Sequence, residues 1–256
     1  MDNIVFVLKD GMELNSDLKN SINNLCDKQE VSFIYFKELE KWHLDKSDLV
    51  ITLGGDGTFI KAANLLEDSL ILGINSNPDL SEGALTLINL NELHKLKEIL
   101  SGKFSIGLSQ RAKITINGKP ANIFATNEIY IGCEFQFHSS RYKIIFNGIE
   151  EEHRSSGVIV STGTGSGAWF NSAGGKIFNP DEEKLCFLVR EPYLGKRIFK
   201  PTILSGEIKK GKKLVLKSMR DFGGIIAVND WQHSFNKGDV VEIELSDKPL
   251  RFVKLS

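Results

Sequence analysis

An aspartate set among three glycines and a threonine is the strongest chemical pattern in the chain. These residues are Gly54, Gly55, Asp56, Gly57 and Thr58, and residues 54–58 form the glycine–aspartate segment. Because glycine has no Cβ atom, the three glycines can adopt positive φ and bring backbone N–H groups close to a ligand. The first N–H groups of a following helix have no intrahelical partner and stabilise an anion. We therefore interpret Gly54, Gly55, Gly57 and Thr58 as phosphate-binding.

The carboxylate of Asp56 has a different use. It would repel a phosphate unless a metal ion, or a proton to be abstracted, lies between the two groups. Asp56 is therefore a candidate catalytic base or metal-side residue. For the Gly-Asp-Gly pattern alone, an ordinary strand-to-helix connection with Asp56 as N-cap stays open as an alternative.

The flanking residues predict the elements that position Asp56. Residues 49–53 are a short apolar run that stops at the glycine pair, and residues 70–74 are apolar again. Between them a helix is predicted to begin near Thr58, with one apolar face made of Phe59, Ala62, Ala63 and Leu66. The whole is a right-handed βαβ crossover, and open sheets of this kind bind ligands at the carboxyl ends of their strands.

A second pattern joins hydroxyl groups, glycines and an aromatic ring. Residues 161–175 form the glycine–hydroxyl segment, which reads STGTGSGAW from Ser161 to Trp169, continues through Ser172, and follows an apolar run at 158–160. Its hydroxyl groups could bind sugar or phosphate oxygens, and Trp169 offers a face for a base. It is not the G-x-G-x-x-G dinucleotide pattern, because position 170 is Phe. A flexible turn is the alternative.

Asn127 and Glu128 precede the apolar run 129–131. An amide next to a carboxylate could hold the two hydroxyl groups of a ribose. A turn that leads into a strand is the alternative for this pair.

The composition excludes several classes of protein. The 256 residues are 41% hydrophobic and 25% charged, and the formal net charge is -1. The chain can therefore bury a core, and no global field favours nucleic acid or an anionic membrane. The apolar N-terminal run ends at Leu8, too short for a signal sequence or membrane span. Cys26, Cys133 and Cys186 are dispersed and suggest neither disulfides nor zinc. We expect a cytoplasmic protein without a metal-ligand set of its own.

Residues 1–101 predict an α/β domain with an open, mainly parallel sheet. Strands are expected at 4–8 and 31–35, besides those that flank the glycine–aspartate segment. One helix is predicted over Leu14, Leu18, Ile22 and Leu25, with Ser16 as a plausible cap. Another, capped by Asn91, carries Leu93, Leu96, Ile99 and Leu100.

Residues 102–256 predict a mainly antiparallel β domain, with a return of the last strand to the first domain left open. Asn117-Gly118 and Asn147-Gly148 are hairpin turn pairs. The only helix of ordinary length is expected to start near Ser166. The predicted strands are 112–116, 123–125, 129–131, 142–146, 158–161, 185–189, 214–217, 225–228, 240–245 and 251–255.

With these patterns in this order, the sequence resembles the NAD kinase family from about residue 48 to residue 232. The GGDGT of residues 54–58 is shared with diacylglycerol-type and sphingoid lipid kinases, but its combination with Asn127-Glu128 and the glycine–hydroxyl segment is specific. Residues 73–83 and 154–169 look most similar to the branch that includes the animal mitochondrial NAD kinases. The resemblance implies phosphorylation of the adenosine ribose 2′-hydroxyl of NAD, which gives NADP.

The resemblance also implies roles for individual residues. Asp56 would accept the proton of the 2′-hydroxyl, and Asn127 and Glu128 would hold ribose and base groups. The full set of NAD-binding candidates is Gly57, Asn127, Glu128, Arg154, Ser156, Thr164, Gly167, Ala168, Trp169, Ser172 and Gln232.

Several positions depart from the common family pattern. Ser156 stands where the family has an aspartate, which puts recognition on the nicotinamide side in question. Trp169 replaces the usual tyrosine and offers a larger stacking surface. Asp230-Trp231-Gln232 replaces Asp-Gly-Gln, and residues 75–83 replace a glycine-rich loop.

The resemblance implies that NAD and ATP are the substrates, that Mg²⁺ accompanies the ATP, and that the protein is a homodimer or homotetramer. No nucleic acid or membrane partner is expected. Two other functions stay open: a lipid kinase of the diacylglycerol or sphingoid type, and a non-catalytic sensor that binds NAD or NADP. The identity of the phosphoryl donor also stays open between ATP, another triphosphate and polyphosphate.

Overall fold

The computed structural model describes residues 1–135, 137–195, 198 and 200–255. The chain divides into two compact units. The first contains Met1–Leu108 and the C-terminal residues from Leu250, and the second contains Ser109–Pro249. The chain passes from the first unit to the second after Leu108, later than the boundary expected after residue 101, because a strand at Ser105–Ser109 belongs to the first sheet.

The first unit is built on one seven-stranded sheet. Its strands are β1 (Asn3–Leu8), β2 (Glu30–Tyr35), β3 (Leu49–Gly54), β4 (Leu70–Asn75), β5 (Ile88–Asn89), β6 (Ser105–Ser109) and the last strand of the chain, β19 (Leu250–Lys254). The order is β2-β1-β3-β4-β19-β6, with β5 paired to β4. The pairs β1/β2, β1/β3, β3/β4, β4/β5 and β4/β19 are parallel.

The strands β3 and β4 are buried along their whole length. Alternate residues of β3 enter two separate apolar clusters, Ile51 on one face of the sheet and Val50 on the other. A strand covered on both faces needs a continuous apolar sequence, which is the pattern of residues 49–53. Three α-helices belong to this unit: α1 (Ser16–Leu25), α2 (Asp56–Leu65) and α3 (Leu96–Leu100).

The helices are found where periodicity predicted them, but two of the predicted caps were wrong, and α2 begins two residues earlier than expected. Asn15, and not Ser16, caps α1, because its side chain accepts a hydrogen bond from the N–H of Leu18 at 2.9 Å. The helix α2 begins at Asp56 rather than near Thr58. Asn89, not Asn91, caps the 3₁₀ turn Leu90–Lys95 that precedes α3.

The second unit contains two six-stranded antiparallel sheets. Its strands are β7 (Ala112–Ile116), β8 (Lys119–Ala125), β9 (Glu128–Cys133), β10 (Ser140–Phe146), β11 (Ile149–Ser155), β12 (Gly157–Ser161), β13 (Lys184–Arg190), β14 (Ser205–Lys209), β15 (Lys213–Ser218), β16 (Gly224–Val228), β17 (Trp231–Ser234) and β18 (Val240–Leu245). One sheet has the order β11-β10-β15-β18-β7-β8, and the other has the order β14-β13-β12-β9-β16-β17. Inward side chains of both sheets form one apolar core.

The predicted fold class is confirmed: a mainly parallel α/β unit is followed by a mainly antiparallel β unit. The strands β5, β6, β11, β14 and β17 were missed. They lack an apolar run; β11, for example, reads IEEEHRS and has two acidic side chains that are exposed. The helix expected near Ser166 is a 3₁₀ turn at Gly165–Gly167 and a single turn, α4 (Trp169–Ser172). No helix in the described ranges is long and apolar enough to cross a membrane.

The core between the two sheets of the second unit should dominate its stability. Phe187 is 0% exposed there and contacts Phe146 edge to face, with ring centroids 4.9 Å apart. We expect Phe187→Ala to lower the free energy of unfolding by about 3–5 kcal/mol, as measured by urea denaturation, because it leaves a cavity. The matched control, Phe222→Ala, changes a ring that is 71% exposed and should cost less than about 0.5 kcal/mol. Equal losses for both variants would contradict this account.

Candidate active site

Asp56 is the first residue of α2 and follows directly on the carboxyl end of β3. Its side chain is half-buried. One carboxylate oxygen, Oδ1, accepts a hydrogen bond from the N–H of Leu85 at 2.8 Å, and Oδ2 accepts one from the N–H of Ala84 at 3.2 Å. The carboxylate is therefore fixed in orientation. Each oxygen keeps a second lone pair that can accept a further proton or bind a cation.

The glycines of this segment do not use positive φ. Gly54, Gly55 and Gly57 are not among the glycines with positive φ in the described chain, so that part of the sequence interpretation was wrong. Close packing explains two of them. A Cβ on Gly54 would lie 2.8 Å from the Cβ of Thr58, and one on Gly55 would meet the hydroxyl of Ser81. Gly57 is exposed, with open space where its Cβ would be.

The segment after β4 positions the two amides that hold Asp56. Asn75 is buried at the end of β4; its side chain donates a hydrogen bond to the carbonyl of Ser81 at 3.0 Å and accepts one from the N–H of Asn77 at 3.0 Å. Gly83 has a φ of +64° and packs against the Asn75 amide. This loop brings the N–H groups of Ala84 and Leu85 to Asp56.

A cavity of about 470 Å³ lies at this end of the sheet. Its lining includes Asp56, Thr58, Ser81, Phe36 and Lys9. Lys9 is the only cationic residue of that lining within the described chain, and sequence reasoning missed it. Because β1 and β3 are parallel and in register, Lys9 follows β1 at the level where Gly54 ends β3. Its position in the sequence could have identified it, because Lys9 is the first residue after the apolar run of β1, and ligands of parallel sheets bind at the carboxyl ends of the strands.

In the second unit, the sheet that contains β9 has an outer face, away from the shared core, on which several candidate residues gather. Residues opposite each other on adjacent strands share a face, as do alternate residues along one strand. Tyr130 of β9 lies opposite Ile159 of β12 and Ala227 of β16, and Ala227 lies opposite Gln232 of β17. Glu128 is therefore on the same face as Tyr130, and Gln232 is at its edge.

Glu128 is held against the start of α4. Its Oε1 accepts a hydrogen bond from the N–H of Phe170 at 3.2 Å, and the N–H of Trp169 also acts on the carboxylate. Burial raises the pKa of Glu128 above its usual value, and the two N–H groups offset only part of that effect. The carboxylate is thus kept in a place that disfavours its charge. Such an arrangement is common where a residue serves a ligand.

The glycine–hydroxyl segment turns tightly against Asn127. The hydroxyl of Thr162 donates a hydrogen bond to the carbonyl of Thr126 at 2.6 Å. A Cβ on Gly165 would lie 2.6 Å from the main-chain carbon of Asn127. The Thr164 and Ser109 hydroxyls are 2.6 Å apart. These contacts pack the segment against residues 126 and 127, with Gly165 beside Asn127 and Thr164 beside Ser109.

The rings of Trp169 and Tyr130 pack against each other on this outer face, tilted by 34°. Their ring centroids are 5.4 Å apart. The Tyr130 hydroxyl has one proton to donate, and it lies 2.8 Å from the carbonyl oxygen of Ser156 and 3.0 Å from that of Cys133. Gly157 makes room for Tyr130, because a Cβ there would lie 2.6 Å from the tyrosine ring. Trp169 is half-buried, while Gly167, Ala168 and Ser172 are exposed. Sequence reasoning missed Tyr130.

The remaining predicted residues lie at the ends of strands or at an edge. Arg154 is near the end of β11, and its carbonyl accepts a hydrogen bond from the N–H of Tyr193 at 2.8 Å. Ser156 links β11 to β12, and its N–H donates to the carbonyl of Arg190 at 3.0 Å. Gln232 is exposed on the edge strand β17. Within the residues the structure describes, no group of three or more His, Cys, Asp or Glu side chains is placed to hold a metal ion.

Comparisons with known proteins match two family domains that meet near the first boundary between the units. Residues 4–100 match the ATP-NAD kinase N-terminal domain, and residues 107–255 match the ATP-NAD kinase C-terminal domain. A probable NADH kinase of Oryza sativa subsp. japonica is 29% identical over 229 residues, which are 79% of this chain and 69% of that protein. An NAD kinase of Methanosarcina mazei is 31% identical over 232 residues, 89% of this chain and 76% of that protein.

A solved structure has the same fold. The crystal structure of an NAD kinase from Archaeoglobus fulgidus in complex with ATP superposes with a TM-score of 0.73 at 22% identity, covering 99% of this chain and 94% of that chain. The similarity to the mitochondrial branch, suggested by residues 73–83 and 154–169, stays a prediction.

The raised pKa of Glu128 gives a test of its environment. A raised pKa in the folded state means that Glu128 favours folding when protonated, and that this contribution is lost as the pH rises through the folded-state pKa. Glu128→Gln has no charge to bury. Its free energy of unfolding relative to the natural protein should therefore be higher at pH 8 than at pH 4, as measured by urea denaturation at both pH values. A difference that does not depend on pH would refute the burial argument.

Proposed function

The chain belongs to the ATP-NAD kinase family, and we propose that its first unit binds the phosphoryl donor while its second unit binds the dinucleotide. The reaction is that of the family: a phosphoryl group is transferred to the adenosine ribose 2′-hydroxyl of NAD, which gives NADP. The main support for assigning the phosphoryl donor to the first unit is the position of Asp56. This residue follows the end of a parallel strand and lines the cavity at the glycine–aspartate segment.

We assign to Asp56 the role of general base. A sugar hydroxyl is far too weak an acid to ionise alone at neutral pH, so it needs an acceptor for its proton while the new O–P bond forms. At the same time the bond between the γ-phosphorus and the oxygen that leaves with the donor breaks, and the leaving group departs as the diphosphate. The N–H groups of Ala84 and Leu85 hold the carboxylate still, so that its remaining lone pairs keep one direction.

The glycine–aspartate segment supports a phosphate-binding role in the same cavity. In this proposal the backbone N–H groups at the start of α2, including those of Gly55 and Gly57, and the hydroxyl of Thr58 bind donor phosphates. Lys9 adds the positive charge that the lining otherwise lacks. The NAD kinase of Archaeoglobus fulgidus was solved with ATP, which supports ATP as the donor here.

The carboxylates that line this cavity are also suitable ligands for a magnesium ion that enters together with the triphosphate. Mg²⁺ is usually held by one or two carboxylates together with substrate phosphates and water, rather than by a protein cage. Asp56 has free lone pairs in the cavity, and Asp10 also lines it. When bound, Mg²⁺ would neutralise charge on the phosphate oxygens. No three-residue ligand cluster is needed for an ion carried in this way.

The dinucleotide is assigned to the outer face of the sheet that contains β9 and to the glycine–hydroxyl segment. The proposal rests on the half-buried carboxylate of Glu128, its neighbour Asn127 and the ring of Trp169, which packs against Tyr130. The residues proposed to contact NAD are Gly57, Asn127, Glu128, Arg154, Ser156, Thr164, Gly167, Ala168, Trp169, Ser172 and Gln232.

Family membership argues against a lipid kinase, since both family domains match along the chain. A non-catalytic sensor is an outcome of the experiment below: tight binding of NAD without consumption of ATP would support it. We also infer a cytoplasmic protein, because all three cysteines are free thiols and a reducing compartment keeps them so. A homodimer or homotetramer is proposed from the resemblance and is tested by light scattering.

Replacing Asp56 by asparagine tests the central role. Asp56→Asn removes the proton acceptor, and kcat for NADP formation with NAD, ATP and Mg²⁺ should fall about 10²- to 10⁴-fold. NAD binding should persist, because the substitution preserves side-chain size. The control Asp45→Asn changes an exposed aspartate outside the cavity and should leave kcat unchanged. Normal turnover in Asp56→Asn would discard the assignment.

Removing the charge of Lys9 tests the donor site. Lys9→Met should raise KM for ATP about 10-fold or more, because a hydrogen bond to a charged group is worth about 1.5–3 kcal/mol. KM for NAD should change little. The control Lys19→Met alters an exposed lysine of α1. If KM for NAD rises as much as KM for ATP, Lys9 is not a donor-specific residue.

A further inference from the structure

Arg190 ends β13 with an unpaired donor. Its side chain is only 13% exposed, and its Nη1 is buried without a hydrogen-bond partner among the described residues. The other terminal nitrogen, Nη2, is 3.4 Å from Oε1 of Glu191. The Glu191 side chain is largely exposed, so this pair lies at the solvent edge. Glu191 is the only carboxylate within 4 Å of the guanidinium in the described chain.

Packing, rather than acceptors, holds the guanidinium in place. The guanidinium carbon lies 4.8 Å from the centroid of the Trp169 ring, and Trp169 in turn packs against Tyr130 in a tilted arrangement. Arg190 is opposite Gly157 in the β12/β13 pair, which puts it on the outer face that carries Glu128 and Tyr130. A cation–π contact orients the side chain but satisfies none of its N–H groups.

A buried, unpaired N–H on a charged group is costly, because the folded chain offers nothing in place of the lost water. Groups of this kind are usually paired within the protein or by a ligand. The guanidinium group presents a planar fork of N–H donors that matches oxygen acceptors such as phosphate. The aromatic ring beside it could at the same time stack on a base. A dinucleotide has both an oxygen acceptor for the guanidinium and a base for the aromatic ring.

We propose that Arg190 is a dinucleotide-binding residue, whose Nη1 donates to an acceptor oxygen of bound NAD while Trp169 offers its ring to a base. This inference rests on the proposed function, since it places a new contact in the same dinucleotide site. The acceptor is a pyrophosphate oxygen or the carboxamide oxygen of nicotinamide. Either one would complete the donor that the chain leaves unpaired.

Equilibrium binding of NAD and of ADP-ribose, without ATP, tests the proposal. Arg190→Met should weaken NAD binding about 10- to 100-fold, the value of a charged hydrogen bond, and Arg190→Lys should weaken it less. An equal loss for ADP-ribose, which keeps the pyrophosphate and lacks nicotinamide, assigns the acceptor to the pyrophosphate. A loss for NAD alone assigns it to the carboxamide.

Matched measurements separate this contact from a structural role. Arg190→Met should not lower Tm by more than a few degrees, because it removes an unpaired buried charge, and KM for ATP should stay unchanged. The control Arg141→Met changes an exposed arginine of β10 and should bind NAD normally. Wild-type affinity of Arg190→Met for both ligands would overturn the inference while leaving NADP formation, and the proposed function, intact. Absence of NAD binding in the natural protein would overturn both.

Discussion

The two main-chain N–H groups that hold the carboxylate of Asp56 are the interaction on which the first unit's site depends. They come from Ala84 and Leu85, more than 25 residues further along the chain. Their place is fixed by the amide of Asn75, which is buried and bonded to both ends of the intervening loop. The orientation of one acidic group therefore depends on the β3/β4 register and on a loop that carries no charge to the site.

In the second unit, polar groups whose burial costs folding free energy lie together on the outer face of one sheet. The charge of Glu128 is disfavoured by burial, and Arg190 has a donor that nothing in the described chain satisfies. The aromatic pair Trp169 and Tyr130 packs in a small apolar cluster with Ile159, Phe170 and Leu188. Elsewhere in this unit the two sheets bury a continuous hydrocarbon core. The apolar core of this unit therefore lies on the opposite face of the sheet from these groups.

Sequence patterns predicted what depends on local periodicity. The βαβ unit around Asp56 and the buried strands of the second unit are apolar runs bounded by turn residues, and the structure contains them. Helix starts were less reliable, because neighbouring polar residues compete for the cap: Asn15 precedes Ser16, and Asn89 precedes Asn91. Strands such as β11, with acidic residues facing solvent, carry no such periodicity.

What could not be predicted is the set of contacts that needs strand pairing. Arg190 is far from Trp169 and Tyr130 in sequence, and only the register of β9, β12 and β13 shows that they share a face. The packing role of Gly54 and Gly55 likewise needs the positions of Thr58 and Ser81. The sequence pattern that identified Asp56 is local, so it gave no information about the distant N–H groups of Ala84 and Leu85 that hold the Asp56 carboxylate.

The pairing of β19 with β4 has a consequence for biosynthesis. The sheet of the first unit takes up Leu250–Lys254 only after the whole of Ser109–Pro249 has been made. Both faces of β19 contribute to buried clusters, through Leu250 on one side and Val253 on the other. On the ribosome, the inserted β unit can therefore fold while its host still lacks one strand, and a nascent chain stopped near residue 249 would leave an open edge on β4 for chaperones to recognise.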